Sequence, residues 1–344
     1  MFMKKKRNII YLCHAEKGPS GGAKVTYHHS EIVNTFKNTS SEVIHLQKKK
    51  LSKWKNSLNK KLGIKRKYSG WLIQDVEVKK NFKFPWFDSK IKISNSLNFS
   101  KNDFIILPDI FAHLAKELCI KKKINYAIFA QNGYALESTN NHKILNEVYK
   151  KAEFILTYSD HMIESVLNLF PFCKKKIIKL KMRIEASLKN KILKKNIITY
   201  MPRKLPGHSS KLIFFLKNKL PKNWRILPLH NMSQNEVYKN LMKSKIFLSF
   251  SYFDSLGLPP LEAALLGNKV IGYTGEGGKE YWKKPIFTEI YSGELFKFVD
   301  EILKEIKNKS FLKKSRKFRN KLKKNYSKDE EIKYLKKFVY KICQ

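Results

Sequence analysis

The chain has 344 residues, 42% of them apolar, which is material for two hydrophobic cores rather than one. Its formal net charge of +43 invites a nucleic-acid reading, but only seven of the 71 basic residues are arginine and no nucleic-acid-binding module is recognisable; part of the charge therefore reads as coding bias, and no nucleic-acid partner is expected. The four cysteines, Cys13, Cys119, Cys173 and Cys343, stand far apart with no paired spacing and no histidine at ligand distance, which argues against a disulfide framework or a zinc site and favours a reducing cytoplasm.

The opening MFMKKKRNIIYLC has the charges of a signal peptide, but its apolar run is only IIYLC and no small-residue cleavage site follows. We read it as a first buried strand. Further strands are expected at Glu42–Leu46, Asp103–Leu107, Tyr126–Ala130, Phe154–Thr157 and Ile177–Leu180, with helices at Ala23–Phe36, Ile110–Lys121, His142–Lys150 and His161–Leu169. After the lysine-rich connector LKNKILKKN the alternation restarts. Its strands are Ile197–Met201, Trp224–Leu227, Ile246–Phe250 and Lys269–Gly272; its helices are Ser209–Leu220, Ser233–Lys243 and Leu261–Leu266. From Ser292 onward the tail is helical, with Ser327 as an N-cap before first-turn acids and Tyr334, Leu335, Phe338 and Ile342 at helical spacing. Alternating strands and helices in two consecutive sets predict two Rossmann-like α/β domains. Their expected bounds are 1–190, 191–325 and, for a helix returning to the first domain, 326–344. No apolar run approaches the roughly 18 residues of a spanning helix.

Residues 48–67, KKKLSKWKNSLNKKLGIKRK, hold ten basic residues and no acid, with Leu51, Trp54, Leu58 and Leu62 at helical spacing. That is the pattern of a basic amphipathic helix at an anionic membrane surface, although a solvated loop or a core-packed helix fits it too.

Chemistry concentrates in SYFDSLGLPPLEAALLGNKVIGYTGEGGKE, residues 251–280. One reading is structural: Pro259 and Pro260 start a helix, Glu262 complements its dipole and Gly267 ends it. The other is a polyol and phosphate site, because Asp254 follows a strand end and a second glycine-rich turn follows the next strand on the same edge. Asp254-x7-Glu262 with Gly257-Leu258-Pro259 inside it, then Glu262-Ala263-Ala264, Gly267 and Gly277-Gly278-Lys279-Glu280, resembles the donor-site motif of retaining GT-B glycosyltransferases of the family 4 type. Their pattern reads Glu-x7-Glu, with Phe-Gly-Leu-Pro within and Glu-Ala after. The resemblance is strong over about residues 240–282 and weaker over the first half.

It implies a GT-B arrangement of the two domains, with the C-terminal helix crossing back to the first, and a cytoplasmic enzyme that moves a sugar from a nucleotide-sugar to a glycan or lipid-linked acceptor. The alternative is a catalytically weak nucleotide- or glycan-binding protein on the same fold. By the resemblance, Asp254 stands where the first glutamate meets the donor sugar, Glu262 binds the ribose hydroxyls, and backbone amides at Leu256, Gly257 and Leu258 meet sugar and diphosphate. Gly277 and Gly278 belong to the same donor loop. The departure is aspartate for the first glutamate. Arg203 and Lys204, with Lys211 behind them, are the basic pair expected to neutralise the leaving diphosphate, with no metal and no cofactor beyond the co-substrate. Gly21 and Gly22 resemble the family's glycine pair near the donor phosphates, and Asp109, His113, Gln131 and Asn132 are candidates for the acceptor side. Two solvated charges, a helix start and ordinary core histidines at His14, His28 and His29 are the competing readings.

Overall fold

In a computed structural model, described for residues 6–18, 20–49, 76–86, 89–186, 193–308 and 311–344, the chain divides into two compact α/β units. The first comprises Met1–Tyr158, Met162–Leu180 and Ile332–Gln344; the second comprises Ser159–His161 and Lys181–Glu331. Most of the basic stretch at 48–67 lies outside the described residues.

The first unit is built on β1 (Arg7–His14), β2 (Thr39–Lys48), β3 (Val76–Val78), β4 (Ile93–Ser94), β5 (Asp103–Pro108), β6 (Asn125–Phe129), β7 (Phe154–Thr157) and β8 (Ile177–Lys179). The sheet order is β3-β2-β1-β5-β6-β7-β8, with β4 also on β2; β3 is antiparallel and the other pairings are parallel. Ile9–Cys13 and Phe104–Leu107 are buried throughout, as continuous apolar runs in a sheet covered on both faces must be. The covering helices include α1 (Gly21–Val33), α2 (His142–Lys151) and α3 (Asp160–Leu169), whose first two residues cluster with the second unit. The expected helix over Ile110–Lys121 is instead a 3-10 turn, Asp109–Leu114, followed by a π turn, Lys116–Ile120. Asp109, at the start of this irregular segment, is buried and accepts the Ile110 amide at 3.0 Å as well as amides of the loop after β6.

The second unit carries β9 (Lys195–Tyr200), α4 (Pro206–Lys217), β10 (Arg225–Pro228), α5 (Gln234–Lys243), β11 (Ser244–Asp254), α6 (Leu258–Leu265), β12 (Lys269–Glu276), β13 (Phe287–Glu289), α7 (Leu295–Ile306) and α8 (Phe311–Asn325). Its sheet is parallel, in the order β10-β9-β11-β12-β13. Leu248, Ile271 and Phe298 are completely buried at its centre. The last helix, α9 (Lys328–Ile342), begins with Ser327 Oγ accepting the Glu330 amide at 3.3 Å and three acids in its first turn. From Ile332 it belongs to the first unit, where Phe338 meets Phe104 and Phe154 edge-on.

Each sheet reverses its strand order once. In the first, the chain runs from β1 to β2 on one side and returns to β5 on the other; in the second, β9 leads to β10 and then to β11. Loops leaving the strand C-termini diverge at such points, and open α/β sheets bind their ligands in the crevice between them.

Candidate active site

At the first reversal, the loop after β1 runs through Ser20 into Gly21 and Gly22. His14 Nδ1 accepts the Glu16 amide at 3.2 Å, so the ring hydrogen sits on Nε2 and is donated to Ser20 Oγ, 3.0 Å away. Ser20 Oγ in turn accepts the Ala23 amide as the N-cap of α1. Burial lowers the His14 pKa, which keeps this tautomer neutral. A Cβ on Gly22 would stand 2.3 Å from Gln131 Oε1, so the glycine is what lets Gln131 lie on the start of α1. Gln131 Nε2 donates to the Gly22 carbonyl (3.2 Å) and to Thr26 Oγ1 (3.3 Å), and Tyr158 donates its hydroxyl to the Gln131 carbonyl.

Asp109 is 2% exposed. Its Oδ2 accepts the amides of Gln131 (2.9 Å) and Asn132 (2.6 Å), so the carboxylate shapes the loop after β6. Burial pushes its pKa up to about 7 against the opposing pull of these amides. His113 is also buried, with Nδ1 3.0 Å from Ser138 Oγ. The structure thus separates the four acceptor-side candidates: Asp109 and His113 lie beneath the surface and hold it, while Gln131 and Asn132 are half-buried on the loop above. His28 and His29 are core residues, His29 stacking on Phe129 with ring centroids 5.4 Å apart.

At the second reversal, the loop after β9 and the end of β11 bring Lys204 and Asp254 into an ion pair between Lys204 Nζ and Asp254 Oδ1. The sequence reading ended the strand at Phe250; β11 instead continues to Asp254 through a bulge. Ser251 pairs with Thr274 and Asp254 with Glu276, so β11 uses one more residue than β12 over this step. The bulge turns Tyr252 and Phe253 outward, stacked with centroids 4.0 Å apart, and places Phe253 at φ 51°. It also re-aims Asp254. Asp254 Oδ2 is buried and has no hydrogen-bond partner among the described residues. A buried carboxylate oxygen in that state has acceptor capacity that a hydroxyl could use. Arg203 is exposed beside Lys204, and Lys211 is exposed on α4.

Glu262 is not a first-turn acid. Helix α6 starts at Leu258, three residues earlier than the periodicity suggests, so Glu262 falls in the second turn and its dipole role is weak. Its Oε1 accepts from the Tyr238 hydroxyl at 2.8 Å, and that hydroxyl accepts from Gln234 Nε2 at 2.9 Å. Burial, then the Glu262 charge, raise the phenol's pKa, so it stays a donor.

Glycines seam the surrounding loops. Gly257 caps α6 at φ 74° and its carbonyl accepts the Tyr281 hydroxyl at 2.6 Å. A Cβ on Gly277 would meet the Ser255 carbonyl at 2.0 Å, and Gly278 packs on Tyr281 and Trp282. Both glycines are buried, as is the Leu256 side chain, so only backbone atoms of these residues could face a ligand. Pro259 and Pro260 carry no N–H, which leaves the amides of Gly257, Leu258 and Leu261 at the start of α6.

Sequence reasoning missed Tyr238, Tyr281 and His208, whose Nδ1 lies 3.1 Å from the Tyr273 hydroxyl. For Tyr238 a partial signal exists: Ser233-x2-Glu236 is a capping box, which fixes the phase of α5. Nothing local links that helix to Glu262, 24 residues on.

No protein-family model and no curated protein sequence matches the chain. Solved structures do match along nearly its whole length. TarM covers 98% of this chain and 99% of its own with a TM-score of 0.63 at 10% identity. Sucrose-phosphate synthase from Thermosynechococcus elongatus covers 98% and 99% with a TM-score of 0.59 at 8% identity, and the lipopolysaccharide outer core galactosyltransferase WaaB covers 97% and 99% with 0.58 at 13%. The fold these likenesses define is GT-B, two Rossmann-like α/β domains on one chain.

Proposed function

We propose that the protein is a glycosyltransferase that moves a sugar from a nucleotide-sugar to an acceptor hydroxyl with retention of anomeric configuration. The observation that carries this reading is the Lys204–Asp254 pair at the reversal point of the second sheet, with a donor-less carboxylate oxygen on Asp254. Neighbouring folds support the ligand class: Staphylococcus aureus TarM was solved with UDP and α-GlcNAc-glycerol, and the pneumococcal O-GlcNAc transferase GtfA with UDP and GlcNAc, at TM-scores of 0.63 and 0.52.

In the proposed reaction Asp254 Oδ2 accepts a donor-sugar hydroxyl, and Glu262, held by Tyr238, accepts from the ribose. The bond between the anomeric carbon and the diphosphate oxygen breaks as charge builds on the diphosphate, which Arg203, Lys204 and the amides at the start of α6 stabilise. The acceptor oxygen attacks from the face the diphosphate leaves, and its proton passes to the departing phosphate oxygen. Lys204 must turn from Asp254 toward phosphate as donor binds. The side-chain cations take the charge in this scheme without a metal ion, and the acceptor is a glycan or lipid-linked hydroxyl.

Screening UDP-, GDP- and ADP-sugars tests the reading. A donor at 100 times its Kd adds about 2.7 kcal/mol of stability. Release of nucleoside diphosphate, with the product's anomeric configuration read by NMR, is the expected result. Stabilisation without release would leave a binding protein on this fold.

A further inference from the structure

Three aromatic side chains in the second unit stand in solvent next to one another. Phe214 and Phe296 are 73% and 67% exposed, Phe215 is 39% exposed, and the rings form an edge-to-face chain with centroids 5.5 Å and 5.6 Å apart. Packing does not require them there. Helix α4 faces the core with Leu212 and Leu216, and α7 with Phe298, Val299 and Ile302, leaving the phenylalanines on the outer arcs. Lone exposed apolar residues are ordinary, but adjoining phenylalanines left in water mark a contact surface.

Charge around the rings identifies what they meet. No Asp or Glu occurs between Glu185 and Glu236. Within that acid-free stretch Lys217, Lys219 and Lys222 are exposed at and beyond the end of α4. At the N-cap of α7, Glu294 is bound by Lys297 at 2.9 Å and 3.0 Å; on the helix Glu301 is bound by Lys304 at 3.5 Å and half-buried Glu305 faces Lys269 and accepts from Asn308, which leaves Asp300 as an exposed acid. Against that one acid, Asp300, one turn from Phe296, stand the three lysines at the end of α4, so the unbalanced charge of the two segments is positive. A second copy of this chain would bring +43 against +43, which opposes self-association through a lysine-flanked face. Coding bias accounts for lysines anywhere, but not for phenylalanines placed in water beside them.

We propose that this face, Phe214, Phe215 and Phe296 with Lys217, Lys219 and Lys222, docks the second unit on an anionic lipid bilayer. Rings on the outer arcs of two helices enter the headgroup region, and the ammonium groups meet lipid phosphates at its surface. The inference goes beyond glycosyl transfer and uses no residue assigned to it.

Flotation with phosphatidylcholine vesicles, with and without phosphatidylglycerol, tests it on the full chain. Wild type should float with the anionic vesicles and not with the neutral ones. Phe214→Ser with Phe296→Ser should lower partitioning about tenfold and keep that deficit at high salt, whereas Lys217→Glu with Lys219→Glu should lose as much at low salt only. Unchanged thermal melting would show that the variants fold. Wild type that ignores both vesicles overturns the proposal. So does a phenylalanine variant that binds as wild type does, which would move docking to residues 48–67. A phenylalanine-dependent dimer in sedimentation, or preference for soluble polyglutamate over vesicles, would assign the face to another partner and overturn it as well.

Discussion

The crevice between β1 and β5 and the crevice between β9 and β11 are topologically the same place, built from opposite materials. In the first, three polar groups already have protein partners: His14 is neutral against Ser20, Gln131 lies on Gly22, and Asp109 is closed by backbone amides. In the second, a lysine and an aspartate, 32% and 16% exposed, form an ion pair, and one oxygen of that aspartate is buried with no donor among the described residues. Under the proposed function, the first crevice is the side that positions a neutral, hydroxyl-rich acceptor. A pair this exposed contributes about 1 kcal/mol or less, so under the same proposal the diphosphate displaces Asp254 from Lys204 at little cost.

The largest test of that contrast removes charge from the second crevice. Asp254→Asn and Glu262→Gln should each cut sugar transfer by at least ~100-fold with the fold intact, in line with losing one preorganised polar contact. Asp254→Glu should keep more activity than Asp254→Asn, and equal losses would show that bulge geometry rather than charge governs the site. Arg203→Ala should raise KM and lower kcat together by roughly tenfold each, since one cation meets ground-state and leaving charge; unchanged constants would move the role to Lys211. Activity should survive EDTA, and full loss restored by magnesium would remove the side-chain cations from that role.

Smaller effects come from the seams. Gly277→Ala should destabilise by about 1–3 kcal/mol in urea unfolding, because its Cβ would strike the Ser255 backbone, which cannot rotate away. Gly22→Ala should be milder, because the obstructing atom is the end of the Gln131 side chain; an acceptor KM rise with little change in melting is expected. Asp109 gives the first crevice a pH dependence. Its folded pKa of about 7 lies above the unfolded value of about 3.9, so its contribution to stability is full below the unfolded value and falls as pH rises toward 7. Asp109→Asn should flatten the stability profile between those limits, removing a pH dependence of roughly 4 kcal/mol at most, and an unaltered profile would contradict the burial argument.

Much of this was legible in the sequence. The strands at Ile9–Leu12, Phe104–Leu107, Ile246–Phe250 and Val270–Gly272 are fully buried apolar runs, and such runs declare themselves without context. The Asp254–Glu262 spacing and the glycines around it placed these residues at the C-terminal ends of β11 and β12, where the structure has them. What stayed hidden depends on contacts remote in sequence. The bulge at Tyr252–Phe253 is visible only in the pairing with β12, the Gln131–Gly22 contact spans 109 positions, and the Asp109 carboxylate accepts from a loop 22 residues away. Three-residue β13 is too short for any periodicity to register.

The turn that carries Gly257 into α6 has a thermodynamic consequence. Two successive prolines restrict the unfolded chain there, and the Tyr281 hydroxyl fastens the Gly257 carbonyl in the folded one. Little freedom remains for a ligand to remove from this segment. Donor association measured by calorimetry should therefore show no large ordering entropy from it, and Tyr281→Phe, which releases the clasp while keeping the ring, should make binding entropy less favourable before it changes the heat of binding.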